Sequence, residues 1–276
     1  MPAEAGRHAA LAAAFGALGT LERTRGRYAE AKRAFEHALV WANDACGPAS
    51  AEVAGLLNDL GMTAKYAGRF DEAETAYERA RAIVETMAEP DPEDAASLFH
   101  NLGGLAHARG AYAAAEPLAR RAIEIRSGAL GAAHPATLLD RSAHAAILDA
   151  LGRSEEAEAS IRDLLDPLIA ALGDDHPEVA VALNNLAAIV QRRGDPLQAE
   201  ALYRRVLAIK SSRFGPDSPR LAIALSNLGT VLRVEGRLEE AKAVYERALR
   251  LLTESVDGDH PTLMAVRGNL ARLGTS

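Results

Sequence analysis

The sequence predicts an all-α chain built from repeated pairs of helices, and three observations carry that expectation. A glycine recurs every 42 residues, at Gly26, Gly68, Gly110, Gly152, Gly194 and Gly236. An alanine stands five places after each one, at Ala31, Ala73, Ala115, Ala157, Ala199 and Ala241. Each glycine divides a helix-like run from a second such run, which often opens on carboxylates, as in Asp71-Glu72, Glu155-Glu156 and Glu239-Glu240. A fixed period of this size marks an array of stacked units, each too small to bury its apolar face alone. The glycine suits a helix stop because it adopts the left-handed backbone. The acidic first turn suits the positive end of the next helix dipole.

Taken in order, the expected units span about 7–47, 49–89, 93–131, 135–173, 177–215 and 219–257, with a lone helix at 261–273. The array is read as one domain over 1–276. Its first helix falls on Arg7 and the apolar run Ala9–Phe15, which on composition alone resembles a signal peptide. The period decides for a helix, because Leu18-Gly19 lies 42 residues before Leu60-Gly61. The links repeat as well: Gly131-Ala132-Ala133-His134-Pro135, Gly173-Asp174-Asp175-His176-Pro177, Gly215-Pro216-Asp217-Ser218-Pro219 and Gly258-Asp259-His260-Pro261. Glycine ends one helix, and proline opens the next where its missing N–H costs nothing. His134, His176 and His260 are thereby read as structural helix-start residues, and His37 as a residue of a second-helix face.

Composition narrows the chemistry. Apolar residues make up 49% of the chain and aromatics 4%, so alanine and leucine must build the core. The formal charge is −7 with acids and bases interspersed, which argues against nucleic acid. Cys46 is the single cysteine, which excludes an internal disulfide and fits a reducing, cytoplasmic setting. Lysine occurs only at 32, 65, 210 and 242 against abundant arginine and alanine, a bias that points to a GC-rich bacterial genome. No apolar run is long enough to cross a membrane.

Leu60-Gly61, Gly68, Phe70, Ala73, Tyr77 and Ala80 return as Leu102-Gly103, Gly110, Tyr112, Ala115 and Ala122, and again as Leu228-Gly229, Gly236, Leu238, Ala241, Tyr245 and Ala248. At this spacing the chain resembles the tetratricopeptide repeat family. The 42-residue period, the Asn184–Ala187 stretch and the Asp-His-Pro links resemble its kinesin light chain-like branch. The resemblance implies a right-handed superhelix of six helix pairs plus a C-terminal capping helix, with the first helices lining a concave face. Gly61 and Ala73 are expected to let paired helices approach closely, with Phe70, Tyr77 and Ala80 filling the groove to the next unit. The fourth unit departs most. His144 replaces a leucine and is read as a hydrogen-bonded core residue, Ser154 replaces the aromatic, and Leu164 replaces an alanine. Pro117 and Pro167 fall inside second helices and are expected to kink or shorten them.

Carried across by the period, the concave face holds one row at Asn58, His100, Ser142, Asn184 and Ser226. A neighbouring row holds Asp59, Asn101, Asn185 and Asn227, with gaps at Ala17 and Ala143. A turn further on stand Arg23, Lys65, His107, Asp149, Gln191 and Arg233, flanked by Tyr66 and Arg192. Asparagine is a mediocre helix former, so its recurrence at one position needs a reason. Its amide offers two donors and an acceptor, which suits the backbone of an extended peptide. The flanking cations favour acidic side chains or a carboxylate terminus.

The expected function is a non-enzymatic scaffold or adaptor holding a partner's extended segment in the groove. The alternative is a regulatory or sensor module that controls a separately encoded effector enzyme in bacterial signalling or defence. Weak end-to-end self-association is the third class, set against a monomer. No cofactor or metal is expected: the sequence has no phosphate loop, no nucleophile elbow and no His-Glu-x-x-His. His100 and His107 are seven apart and would need a third ligand such as Asp149.

Overall fold

The computed structural model describes residues 2–253, 255, 256, 258 and 260–273. Asp259 of the last link and Asp257, the expected end of the sixth unit, lie outside the described residues. Thirteen helices account for the regular structure of the described residues. They are α1 Pro2–Thr24, α2 Tyr28–Cys46, α3 Ala51–Tyr66, α4 Phe70–Thr86, α5 Pro92–Ala108, α6 Tyr112–Leu130, α7 Pro135–Ala150, α8 Ser154–Leu172, α9 Pro177–Arg193, α10 Pro196–Phe214, α11 Ala222–Val234, α12 Leu238–Thr253 and α13 Pro261–Leu273. A short 3-10 turn, Pro219–Leu221, leads into α11. The chain divides into two compact units, Met1–Ala129 and Leu130–Ser276.

In the first unit α1 packs on α2 and α3 on α4, while α2 rests on α3 and α4 on α5. In the second unit α7, α9 and α11 pair with α8, α10 and α12 in the same way, and α13 closes against α11 and α12. Within each unit, neighbouring first helices also touch: α1 with α3, α3 with α5, α7 with α9, α9 with α11. This places the expected rows of polar residues on adjacent, contacting helices.

The sequence period has a direct physical cause. The six turn glycines all adopt positive φ, between +75° and +93°. A side chain would be strained there, so glycine recurs. The six alanines that follow are fully buried at 0% exposure, each at the contact of its helix pair. The small residues of the first helices seat the large residues of the second. A methyl added at Gly61 would stand 2.6 Å from the Tyr77 ring, at Gly19 2.8 Å from Phe35, and at Gly229 2.7 Å from Tyr245. Tyr77 therefore seats on Gly61 within its own pair. Where Ala119 replaces the aromatic, the backbones close in instead, with a methyl at Gly103 only 3.3 Å from the Ala119 nitrogen.

The histidine links behave as helix starts. Nδ1 of His134, His176 and His260 accepts a hydrogen bond from the backbone N–H of Ala136, Glu178 and Thr262 at 3.3, 3.2 and 3.1 Å. Ser218 does the same for Arg220 at 3.4 Å. Each side chain satisfies an otherwise orphaned helix N–H.

Two expectations need correction. Pro117 and Pro167 do not shorten their helices: α6 and α8 each run 19 residues, the length of α2 and α10. Both prolines face solvent, as do Ala113 and Asp163, whose carbonyls lose their intrahelical donors. Water can bond those carbonyls, so the helix continues. His144 is only half-buried and is not a core residue. The core of that pair is built from Ala145, Leu148, Ala157, Ile161 and Leu164, all at 0–2% exposure.

Ala73→Leu is expected to overpack the α3–α4 contact and to cost about 1–3 kcal/mol. A thermal melt unchanged from the parent protein would remove this account of the recurring alanine.

Candidate functional site

The asparagines recur because they tie adjacent first helices together. In the first unit, Asn101 Nδ2 donates to Asn58 Oδ1 at 2.9 Å. In the second, Asn185 Nδ2 donates to both the carbonyl and the hydroxyl of Ser142 at 3.1 Å, and Asn227 Nδ2 reaches Asn184 Oδ1 at 3.5 Å. Every one of these bonds spans 43 residues, one period plus one. The two rows read from the sequence are therefore one set of rungs, with the donor on the later helix and the acceptor on the earlier. Ala143 lacks the donor that such a rung requires. Asn101 and Asn227 each spend one N–H on a rung and keep a second N–H and the carbonyl oxygen, whereas Asn185, with two acceptors on Ser142, keeps its carbonyl oxygen.

The cations of the next turn differ sharply from one another. Arg23 on α1 donates to Asp59 Oδ1 at 3.3 Å and to Met62 Sδ at 3.0 Å, both on α3. Burial still lifts the Asp59 carboxyl above its ordinary range, more than Arg23 lowers it. In the second unit Arg192 on α9 pairs with Asp149 on α7, a fully buried carboxylate that also accepts from Ser154 Oγ at 2.7 Å. Gln191 takes up the buried Tyr203 hydroxyl at 3.3 Å. Arg233 is half-buried near the end of α11. His107 packs on Tyr112 with ring centroids 5.3 Å apart, and the exposed Tyr66 ring stacks with Tyr28 at 6.3 Å. Asn58 also lines a cleft with Ala54, Met87, Asp91, Asp94 and Leu98.

Lys65 stands apart. It has no hydrogen bond or ion pair among the described residues, and burial alone lowers its ammonium to about 8. Its Nζ reaches over Gly104 of α5, where an added methyl would lie 2.6 Å away. The 42-residue period places Lys65 in a row of cations. Gly104 carries no such signal of its own, although Met62 fills the corresponding place one period earlier.

A family model described as "Tetratricopeptide repeat" matches residues 7–86, 94–166, 168–212, 178–252 and 220–273. A second model of the same description matches 58–129. The chain is a tetratricopeptide repeat protein. No curated protein sequence matches it. Among solved structures it is similar to BtubC (BKLC) from P. vanneervenii, with 21% identity over 88% of this chain and 90% of that one and a TM-score of 0.55. It is similar to a putative kinesin light chain from P. anserina, with 22% identity over 68% of this chain and 88% of that one and a TM-score of 0.52. It is also similar to NprR in complex with its cognate peptide NprX, with 14% identity over 94% of this chain and 72% of that one and a TM-score of 0.66. At these identities the structures speak for the fold.

In this tetratricopeptide array no three His, Cys, Asp or Glu side chains converge as a metal site would need, among the described residues. No described helix is long and apolar enough to cross a membrane.

The Lys65 ammonium leads to a signed prediction. A lysine lowered on folding burdens the native state fully below about pH 8, and the burden fades as pH rises toward the ordinary value of 10.5. No charged neighbour offsets it, since burial is the sole cause of the shift. Lys65→Met should therefore raise unfolding free energy below pH 8 by up to about 3 kcal/mol, at roughly 1.4 kcal/mol per displaced unit. The difference should shrink between pH 8 and 10.5 in chemical denaturation curves. A gain independent of pH would contradict this origin.

Tyrosine hydroxyls supply a matched comparison. Tyr203 and Tyr245 bond Gln191 and Thr230 at 3.3 and 3.0 Å, whereas the Tyr77 hydroxyl is buried without a partner. Tyr203→Phe and Tyr245→Phe should each cost about 1 kcal/mol, while Tyr77→Phe should be neutral or stabilising. Equal losses at all three sites in urea titrations would overturn the comparison.

Proposed function

We propose that this tetratricopeptide repeat protein is a non-enzymatic scaffold that receives an extended segment of a partner protein along its first helices. The observation that carries the reading is the set of asparagine rungs. Each rung fixes an amide on the surface shared by two contacting helices and leaves it a carbonyl to offer, with a spare N–H as well at Asn101 and Asn227. An extended backbone presents the complementary groups at regular intervals and needs no particular side chain to use them. Amides already held by rungs lose little freedom when a ligand arrives, which favours binding.

The candidate contacts in the first unit are Asn58, Asp59, Lys65, Tyr66, Asn101 and His107. In the second they are Asn184, Asn185, Gln191, Arg192, Asn227 and Arg233. The pairing of Arg192 with Asp149 and of Asp59 with Arg23 lowers the net charge these residues offer. The neutral amides therefore carry the reading more than the cations do. The NprR structure, similar in fold, holds its cognate peptide, which supports a peptide as occupant. A regulatory module would use the same surface and differ in what occupancy does next. It would be recognised by a captured partner enzyme whose activity changes when this chain is added.

The test begins with a partner captured from the cell of origin and identified by mass spectrometry. Asn101, Asn185 and Asn227 are then changed together to Ala. Loss of the three rungs should lower stability by a few kcal/mol at about 1 each. Affinity is therefore compared at a temperature where circular dichroism shows both proteins fully helical. The variant should bind the partner at least roughly tenfold more weakly, equivalent to about 1.4 kcal/mol. Unchanged affinity would retire the reading.

A further inference from the structure

Among the described residues, α1 touches α2 and α3 only. Helices α3, α5, α9 and α11 each rest in addition on the second helix of the pair before them. That cover decides whether the same positions are buried. Leu21 is 44% exposed, whereas its counterparts in those four helices, Thr63, Leu105, Ile189 and Val231, lie at 0–3%. Leu18 is also 44% exposed, whereas Leu102, Leu186 and Leu228 lie at 3–5%.

An uncovered end of a repeat array needs a polar outer face. This one is made apolar instead. Ala10 stands where later first helices carry Glu52, Asp94 and Glu178, and Ala17 where they carry Asp59, Asn101, Asn185 and Asn227. Between Arg7 and Glu22 no residue is formally charged. Ala10, Ala13, Ala14, Ala17, Leu18 and Leu21 are all exposed, and their spacing sets them on one stripe of the helix. The stripe is about 17 Å long, at roughly 1.5 Å per residue.

The order of large and small residues along the stripe decides what fits it. The six positions are symmetric about the midpoint between Phe15 and Gly16. A second α1 turned end for end about that point sets Leu21 against Ala10, Leu18 against Ala13 and Ala17 against Ala14. Every leucine then meets an alanine, so the ridges of one helix fall in the gaps of the other. A two-fold axis repeats each of these contacts. End-to-end stacking has no such fit, because the outward face of α12 that would complement α1 is already covered by α13.

We propose that the chain forms a two-fold dimer in which two α1 helices pack antiparallel, centred on Ala14 and Ala17. The inference is independent of the groove reading. One helix from each copy makes a small interface, so association is weak, with a dissociation constant on the order of micromolar or higher.

Sedimentation equilibrium of the full chain, over a roughly hundredfold range of concentration around that value, tests the dimer. The average mass should rise with concentration toward twice that of the monomer. Ala10→Lys and Leu21→Glu change exposed residues, and circular dichroism should show both variants fully helical. Each alone should stay monomeric, because it sets a charge against an apolar partner. Mixed in equal amounts, the two should associate again. The new ammonium at position 10 of one copy then faces the new carboxylate at position 21 of the other, while the second contact stays native. A parent chain monomeric throughout would overturn the proposal, and its flotation with phosphatidylcholine vesicles would assign the face to a lipid surface. Association unchanged in both variants, or a mixture that stays monomeric, would overturn it as well.

Discussion

Everything in this structure depends on how closely the two helices of a pair can approach. At Gly19, Gly61 and Gly229 the first helix carries no side chain, and an aromatic ring of the second helix lies where a methyl would clash. The alanine at the start of each second helix is buried completely. These small residues allow a chain with so few aromatics to build a dense core, since Phe35, Tyr77 and Tyr245 are seated directly against a first-helix glycine. The turn glycine then sets where the second helix starts, and so which residues face the contact. Where the aromatic is absent, at Ala119, the contact is made by backbone approach instead. The pair is held by fit, and the fit can be met in more than one way.

Close pairing has a second consequence. It brings successive first helices into contact within each unit, and the polar residues on them bond to one another before any ligand is considered. The asparagine repeat therefore has a structural cause as well as a proposed binding role. The two are compatible because an amide has more hydrogen-bonding capacity than one rung consumes. The rung orients the amide, and the groups it leaves over are the part a ligand would meet.

The fold was legible in the sequence because its determinants are strict and local. Gly68 needs a positive φ and Ala73 needs to be small, and both demands recur at fixed spacing. The site was legible only in outline. Asn101 and Asn185 could be placed on one face, but not seen to donate to the residue 43 places back, since that depends on which helices touch. The expected shortening at the prolines fails for a related reason. Whether Pro117 interrupts a helix depends on whether the Ala113 carbonyl can reach water, and exposure of one carbonyl leaves no mark on the sequence. His144 was placed in the core because leucines hold that position elsewhere, yet Ala145 and Leu148 bury the contact and leave the histidine half-exposed.

Lys65 shows how far side-chain chemistry can vary in an array whose fold is so constrained. The helix contacts tolerate little change, as the invariant alanines attest, but the facing turn of each first helix varies freely. Arg23, Lys65, His107, Asp149, Gln191 and Arg233 share one position and differ in charge, size and partner. At three of these positions the chain supplies its own complement: Asp59 for Arg23, Arg192 and Ser154 for Asp149, Tyr203 for Gln191. At Lys65 and Arg233 it does not, among the described residues. Around Lys65, two neutral changes on the neighbouring helix, one removing a carboxylate and one removing a side chain, turn an internal ion pair into half of one. The fold bears that cost because the helix pairs are secured elsewhere, by contacts that neither change touches.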